Sequence, residues 1–423
     1  MTKYSGISSR KTKSIMQNLK GRTIRSFNYA LCDLCNKAVI KEGTKYKCLS
    51  CKNDLDIYQL NNYVSFNLED QLKIVSHIAA EAEAIDVTLR LILTCDGIPL
   101  SKSSDVELYP LIVYIENIEN LNLRGKCYTI GSIAMIRKKV SQLAFSPNLL
   151  LRTFLRNFDA INAKGGIPTT WSLRTKLQVF AFIADTPCRA KFLNVLQHNG
   201  KYPCHRCFIR LQNKLIPIVQ PNEIRLKTIE VNQLIEELEL ERDSRPKITN
   251  KFGVKGKSFL AKFKFDYIKR SLMEIMHCQF LGVAKCFFET YIFDSEKAGS
   301  PEQRHQIDQR IKMIKPPSNS KRSIRQLSEF KHFKSAEFEK IFFYYGYFIF
   351  KDIFSKEKFN FLMFLSATTF KLWSRNAMPA QIDRVPFEID YLMKVFKLKN
   401  DEPNLIKFNL HCMHHLLLSV TAT

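Results

Sequence analysis

The sequence lacks any apolar run long enough to cross a bilayer. Its longest, Ile341 to Phe350, is ten residues flanked by Lys340 and Lys351, where a spanning helix needs about 20. A secretory leader is missing as well. The first residues, MTKYSGISSRKTKSIMQNLK, are basic and polar with no apolar stretch, so secretion is not expected. Repeats and long low-complexity tracts are absent, which excludes solenoids and fibrous arrays. Acidic residues are scarce: 40 Asp and Glu stand against 65 Lys and Arg, a formal charge of +25. No lipidation motif or separate basic amphipathic helix accompanies that charge, which makes an anionic membrane a poor partner. A polyanion in solution is the better one, and nucleic acid the expected one.

What is present suits a folded protein of two or three domains. Hydrophobic residues make up 45% of the 423 and charged residues 25%, ordinary values for a globular chain. Phe is abundant, at 32, so part of the core should be aromatic-rich. With no leader, the twelve cysteines are expected in a reducing compartment, nuclear or otherwise cytoplasmic. There, CxxC pairs point to metal rather than to disulfides.

Residues 1–26 read as a flexible basic arm, suited to phosphate contact or nuclear import, or simply a solvated tail. Residues 27–82 read as a small zinc ribbon followed by a helix. Cys32-x2-Cys35 and Cys48-x2-Cys51 are separated by 12 residues, with Gly43 between them suiting a hairpin. Two such knuckles present four thiolates tetrahedrally to a structural Zn²⁺.

Residues 83–207 switch to strand patterns. Val87–Thr94, Glu107–Ile118, Lys126–Met135 and Lys176–Ala184 read as strands, with a helix within 138–164 and another over Cys188–Gln197. Strand, strand, strand, helix, strand, helix is the order of an RNase H-like core. Residues 208–423 read as a large, mainly helical insertion and C-terminal part. Basic loops fall at 244–258 and 314–325, and Phe and Leu are frequent from 326 onward. The expected fold is thus α/β.

Asp96 follows the first of these strands and Asp185 the fourth. In an RNase H-like sheet these strands are neighbours, so both carboxylates would meet at one edge. Two such groups can hold Mg²⁺ or Mn²⁺ for phosphoryl transfer. Asp also ends strands and starts helices for its own local reasons, and the residues alone leave both readings open.

A resemblance bears on that choice. LTCDGIPLSKSSDVELYPLIVYI and FIADTPCRAKFLNVLQHNGKYPCHRC resemble two catalytic blocks of CACTA/EnSpm-like transposases and their animal relatives. LMEIMHCQFLGVAKCFF resembles the acid-x-x-His block of that family. FKSAEFEKIFFYYG and NLIKFNLHCMHHLL resemble two further helical blocks, and FNLEDQLKIV after the CxxC pairs resembles the family's start. The blocks run in order from about residue 30 to the end.

The resemblance implies metal-dependent DNA cleavage and strand transfer. Asp96 and Asp185 match the first two metal-binding carboxylates, and Glu274 and His277 match the acid-x-x-His pair, usually Asp at its first position. The family's third carboxylate is expected after the Asn-x-His helix, beyond Thr423. Within the chain, Glu337 is the alternative. DNA binding without turnover is therefore the expectation. An active nuclease or transposase using Glu337 is one rival, and a zinc-organised protein-interaction module without DNA is another. DNA is the expected partner, with self-assembly open.

Three more groups stand out. Cys204-x2-Cys207 suggests a second metal site with His277, Cys278, His198 or His205 as candidate companions, or an unmetallated turn. His411, His414 and His415 lie at helical spacing with no accompanying carboxylate, which reads as packing near a helix end. Lys312, Lys315, Lys321, Arg322 and Arg325 read as a basic loop for phosphate contact, or a solvated one. Cys188 reads as a small core residue, and the Phe/Tyr stripe at 338–350 as helix core rather than a base-stacking platform.

Overall fold

In a computed structural model, the protein is described over residues 26–32, 39–42, 45–48, 54–55, 60–83, 87–99, 106–117, 128–137, 147–169, 173–212, 216–217, 227, 230–245, 247–289, 292, 300–317, 323–374, 378–398, 405–406 and 408–420. The chain forms two compact units. One, the sheet unit, holds Gly6–Gln197 and Glu230–Leu272; the other, the helical unit, holds His198–Ile229 and Met273–Thr423. Residues 230–272, expected with the helical part, belong to the sheet unit. Among the described residues no helix is long and apolar enough to cross a membrane.

The strands of the sheet unit are β1 (Ser26–Cys32), β2 (Val39–Glu42), β3 (Lys45–Cys48), β4 (Asp54–Leu55), β5 (Leu60–Phe66), β6 (Val87–Cys95), β7 (Ile98–Pro99), β8 (Val106–Ile115), β9 (Tyr128–Arg137), β10 (Ile167–Pro168) and β11 (Arg174–Ala184). The main sheet runs β1-β5-β9-β8-β6-β11-β10. Its β6, β8 and β9 pair antiparallel, whereas β11 pairs parallel to β6. The expected ribbon segment is split: β1 pairs with β5 in the main sheet, while β2, β3 and β4 form a small sheet of their own.

In VTLRLILTC of β6 the apolar residues alternate with Thr88, Arg90 and Thr94, the pattern of a strand with one face on the core and the other partly open. Leu89, Leu91 and Leu93 pack on one face with residues of α1 (Leu68–Glu83), α2 (Pro147–Ala163) and α3 (Thr186–Leu193). Ile92 is buried on the other, and a further helix of this unit, α4, spans Val231–Ser244. Proline is unusual inside a central strand because it donates no ladder hydrogen bond. Here Pro110 sits just before a register shift at Leu111/Ile112, a bulge that absorbs the irregularity. Gly131 of β9 lets α2 come close: a Cβ there would lie 2.8 Å from the Phe154 ring.

The helical unit contains α5 (Pro301–Met313), α6 (Lys356–Trp373), α7 (Val385–Leu398) and α8 (Phe408–Val420), together with π-helical turns at Met276–Ala284 and Ile341–Tyr345. Its core is where phenylalanine collects. The Phe288 ring alone meets Phe330, Phe338, Phe342 and Phe350 at centroid distances of 5.5–6.4 Å, an arrangement that adds ring–ring attraction to burial. Two contacts help to place the start of the helix α8. Its entry, Ile406, pairs with Ile216. Its first turn lies against Gly282, where a Cβ would meet the Asn409 side chain at 2.5 Å.

Candidate metal centre

The CxxC of the helical unit lies in a loop closed at its base by Leu211 N donating to Lys201 O at 2.8 Å. Inside it, the Arg206 backbone N–H donates to Cys204 Sγ at 3.4 Å, which turns the sulfur inward. On α8, positions 411 and 415 are one turn apart and share a face. That face is turned to the CxxC loop: Cys207 Sγ lies 3.4 Å from His411 Nε2, and the His411 and His415 Nε2 atoms lie 3.2 Å apart. All four residues are buried, and their ligand atoms lie within 4.8 Å of one another.

Those separations fit a tetrahedral ion. With Zn–N of about 2.0–2.1 Å and Zn–S of about 2.3 Å, the edges of a tetrahedron come to roughly 3.3 Å for N···N and 3.6 Å for S···N. Without an ion the two thiols titrate differently. Burial pushes the Cys204 thiol up, but hydrogen bonds with Cys207 and the histidines, and the His415 charge, outweigh it and hold Cys204 well below the ordinary thiol range. The Cys204 hydrogen bond, then burial, raise Cys207. Burial lowers His415, against the pull of Cys204. This cluster can hold a metal ion with four protein ligands.

Two buried cations brace the loop. Lys227, wholly buried, donates from Nζ to Cys204 O at 2.8 Å and lies over the Phe208 ring. Burial lowers its pKa, against the pull of Cys204 and Cys207. Arg206 donates from Nη1 to His415 O at 2.8 Å, tying the CxxC loop to α8 directly.

The expected set Cys204, Cys207 and His277 is therefore corrected. His277 instead hydrogen-bonds Glu274 through Nδ1. Cys278 donates to Asn409 O at 3.6 Å, and the His198 ring lies by Phe408. The partners are two of the histidines read as packing. Their i, i+4 spacing was the available signal. What hid it was the expectation of a carboxylate, when the companions are thiols about 200 residues away in the chain.

In the sheet unit, β6 and β11 run side by side with Cys95 opposite Ala184. The next residue on each strand is Asp96 and Asp185, so the two carboxylates leave one sheet edge together. Asp185 also caps α3, its Oδ1 accepting from Cys188 N at 2.8 Å. The helix-cap reading thus applies to Asp185. The Cys188 thiol is raised by a hydrogen bond with Cys95, by burial, and by the nearby charges of Asp185 and Asp96. Buried and without an activating base, it is the core residue expected.

Glu337, weighed as a third metal-binding carboxylate, is instead closed off from solvent. Its Oε1 accepts from Arg325 N and Nε, and its Oε2 from Arg325 Nη2 and Lys334 N, at 2.5–3.2 Å. Arg325 is thereby occupied and also reaches His332 O, so its guanidinium is a strut rather than a phosphate contact. Lys312 lies in the last turn of α5, not in a loop, and Lys315 follows it. Lys321 and Arg322 lie outside the described residues, as do Cys35 and Cys51. Cys32 and Cys48 end β1 and β3, but their side chains are not among those described. The chain matches no protein-family model and no curated protein.

Proposed function

We propose that the chain is a transposase-derived DNA-binding protein with an RNase H-like core, descended from an enzyme of metal-dependent DNA cleavage and strand transfer. The observation that carries this reading is the parallel β6–β11 pair with Asp96 and Asp185 in adjacent positions at its end. The strand order β9-β8-β6-β11, with only β11 parallel to β6, supports the same core. Asp96 and Asp185 would hold Mg²⁺ or Mn²⁺ through oxygen. The Cys204, Cys207, His411 and His415 centre would hold Zn²⁺ in a closed, structural role, since all four positions are filled by protein.

Binding without turnover is favoured because in-line phosphoryl transfer needs carboxylates for both metals, and Glu337 is committed to Arg325. A charge of +25 supports DNA as partner and the nucleus as location. The test is fluorescence anisotropy with duplex DNA across a salt series, alongside a nicking assay in Mn²⁺. Expected are an affinity falling steeply with salt and no nicking. Salt-indifferent or absent binding would sink the DNA reading. Nicking abolished by Asp96→Asn would replace binding with catalysis.

A further inference from the structure

The outer face of the main sheet, opposite the one packed on α1, α2 and α3, carries a row of cations. Successive side chains of a strand point to opposite faces. On β11, Thr175, Leu177 and Val179 are buried, whereas Arg174, Lys176 and Gln178 are exposed. Register sets Thr88 of β6 beside Lys176, and Arg90 beside Gln178. The next residue of the outward row is Phe180, and it is only 6% exposed.

Charged groups cover that ring. The Arg90 guanidinium lies 5.0 Å from its centroid and the Arg270 guanidinium 4.3 Å, an arrangement in which ring and cation attract. Arg270 is brought there by its backbone. Phe182 N donates to Arg270 O at 3.0 Å, and the short strand Ser271–Met273 that follows pairs with β11. Glu116 meets Arg90 at 2.7 Å. Among the described residues, Arg270 and Lys176 have no carboxylate partner. The face therefore keeps a surplus of positive charge, part of it on side chains that the ring holds in place.

A guanidinium held in this way presents its N–H fork to a phosphate with little further ordering. Two such forks, with Lys176 and Arg174 in line along the strand, suit the repeated phosphodiesters of a nucleic-acid backbone. The covered Phe180 ring offers no surface on which a base could stack. Contact is thus with the backbone, which fixes position without reading sequence. The strand β11 also leads to Asp185, five residues past Phe180 and about 16 Å further along. A backbone lying on this face is directed toward the carboxylate edge.

We infer that the outer face of β6 and β11 is the surface that grips the DNA backbone, through Arg90, Lys176 and Arg270. This rests on the DNA-binding reading above and gives it a location. The test is an anisotropy titration of the full chain with a labelled duplex over a salt series. Arg270→Met keeps an apolar cover on Phe180 while removing the charge, and Lys176→Gln changes an exposed position. Together they should reduce the slope of log affinity against log salt by about 1.8, since each lost phosphate contact removes about 0.9. Lys247→Gln with Lys257→Gln takes the same charge from other exposed positions of the sheet unit, and should leave the slope unchanged. Should Arg270→Met lose its fold in thermal melts, Lys176→Gln alone should still reduce the slope by about 0.9. Equal reductions from both pairs, or none from the first, overturn the inference while DNA binding stands. A wild-type chain that binds no duplex removes the DNA reading and this location with it. If the first pair instead weakens binding of poly-glutamate and keeps its duplex affinity, the inference is overturned and the face belongs to an acidic protein.

Discussion

Two clusters of side chains, one in each unit, are brought together by contrasting means. Asp96 and Asp185 follow two strands locked in register, and the sheet holds them there whether or not a cation is bound. Cys204, Cys207, His411 and His415 converge from a loop and a distant helix, buried face to face. Buried polar groups need partners, and an ion satisfies all four at once. A cation at the sheet edge would thus be added to a finished fold, whereas one in the buried cluster would help to make its fold.

The largest expected effect tests that contrast directly. Removing metal by chelation, or replacing His411 and His415 by Ala, should remove at least about 5 kcal/mol from the helical unit, since structural zinc contributes about 10–16 kcal/mol in small domains. Hydrogen exchange should show α8 and the 201–211 loop losing protection while β6 and β11 keep theirs. Equal loss in both units would erase the distinction.

Glu337→Ala comes next. It leaves Arg325 without its carboxylate and removes acceptors from two backbone N–H groups, at a cost of about 2–4 kcal/mol by chemical denaturation. Burial opposes ionisation of Glu337, but the Arg325 and backbone hydrogen bonds outweigh it and lower its pKa. A lowered folded pKa stabilises the fold above the unfolded value of about 4.3. That contribution is lost as pH falls through the folded value. Acid should therefore destabilise the wild type more than Glu337→Ala, narrowing the gap between them.

Smaller again is Lys227→Met, which keeps the bulk but removes the Nζ–Cys204 O hydrogen bond. Outer-sphere partners of this sort are worth about 10–100-fold in metal affinity. Competition with a chromogenic chelator would measure the change, and an unaltered affinity would reduce Lys227 to packing.

These sites were unequally legible in the sequence. The Asp pair was readable because strand order and period determine which strands adjoin, and parallel neighbours end at one edge. The buried cluster was half readable: CxxC spacing announces a metal, but no local periodicity ties residue 207 to residue 411. Glu337 misled because its partner, Arg325, lies in an irregular segment where patterning says nothing about burial. The aromatic stripe was read as core, and half of it is; helical spacing identifies two faces without saying whether the second is covered. Lys312 moved from loop to helix because Ser300 and Gln303 form a capping box that starts α5, and the helix continues to Met313.

The smallest effect separates the helix-cap role of Asp185 from the metal-binding role proposed for it. As an N-cap its side chain accepts from Cys188 N, a bond that Asn makes about as well and Ala cannot make. Asp185→Ala should therefore cost about 1 kcal/mol of stability, while Asp185→Asn should cost a few tenths at most. Asp96, the residue after β6, serves as the comparison. Mn²⁺ binding should respond differently: both Asn variants remove a charged oxygen ligand and should weaken it alike. Calorimetric titration with Mn²⁺ beside thermal melts would show this. If Asp185→Asn kept Mn²⁺ affinity while Asp96→Asn lost it, the Asp185 carboxylate would be a helix cap alone, and the sheet edge would hold one ligand rather than two.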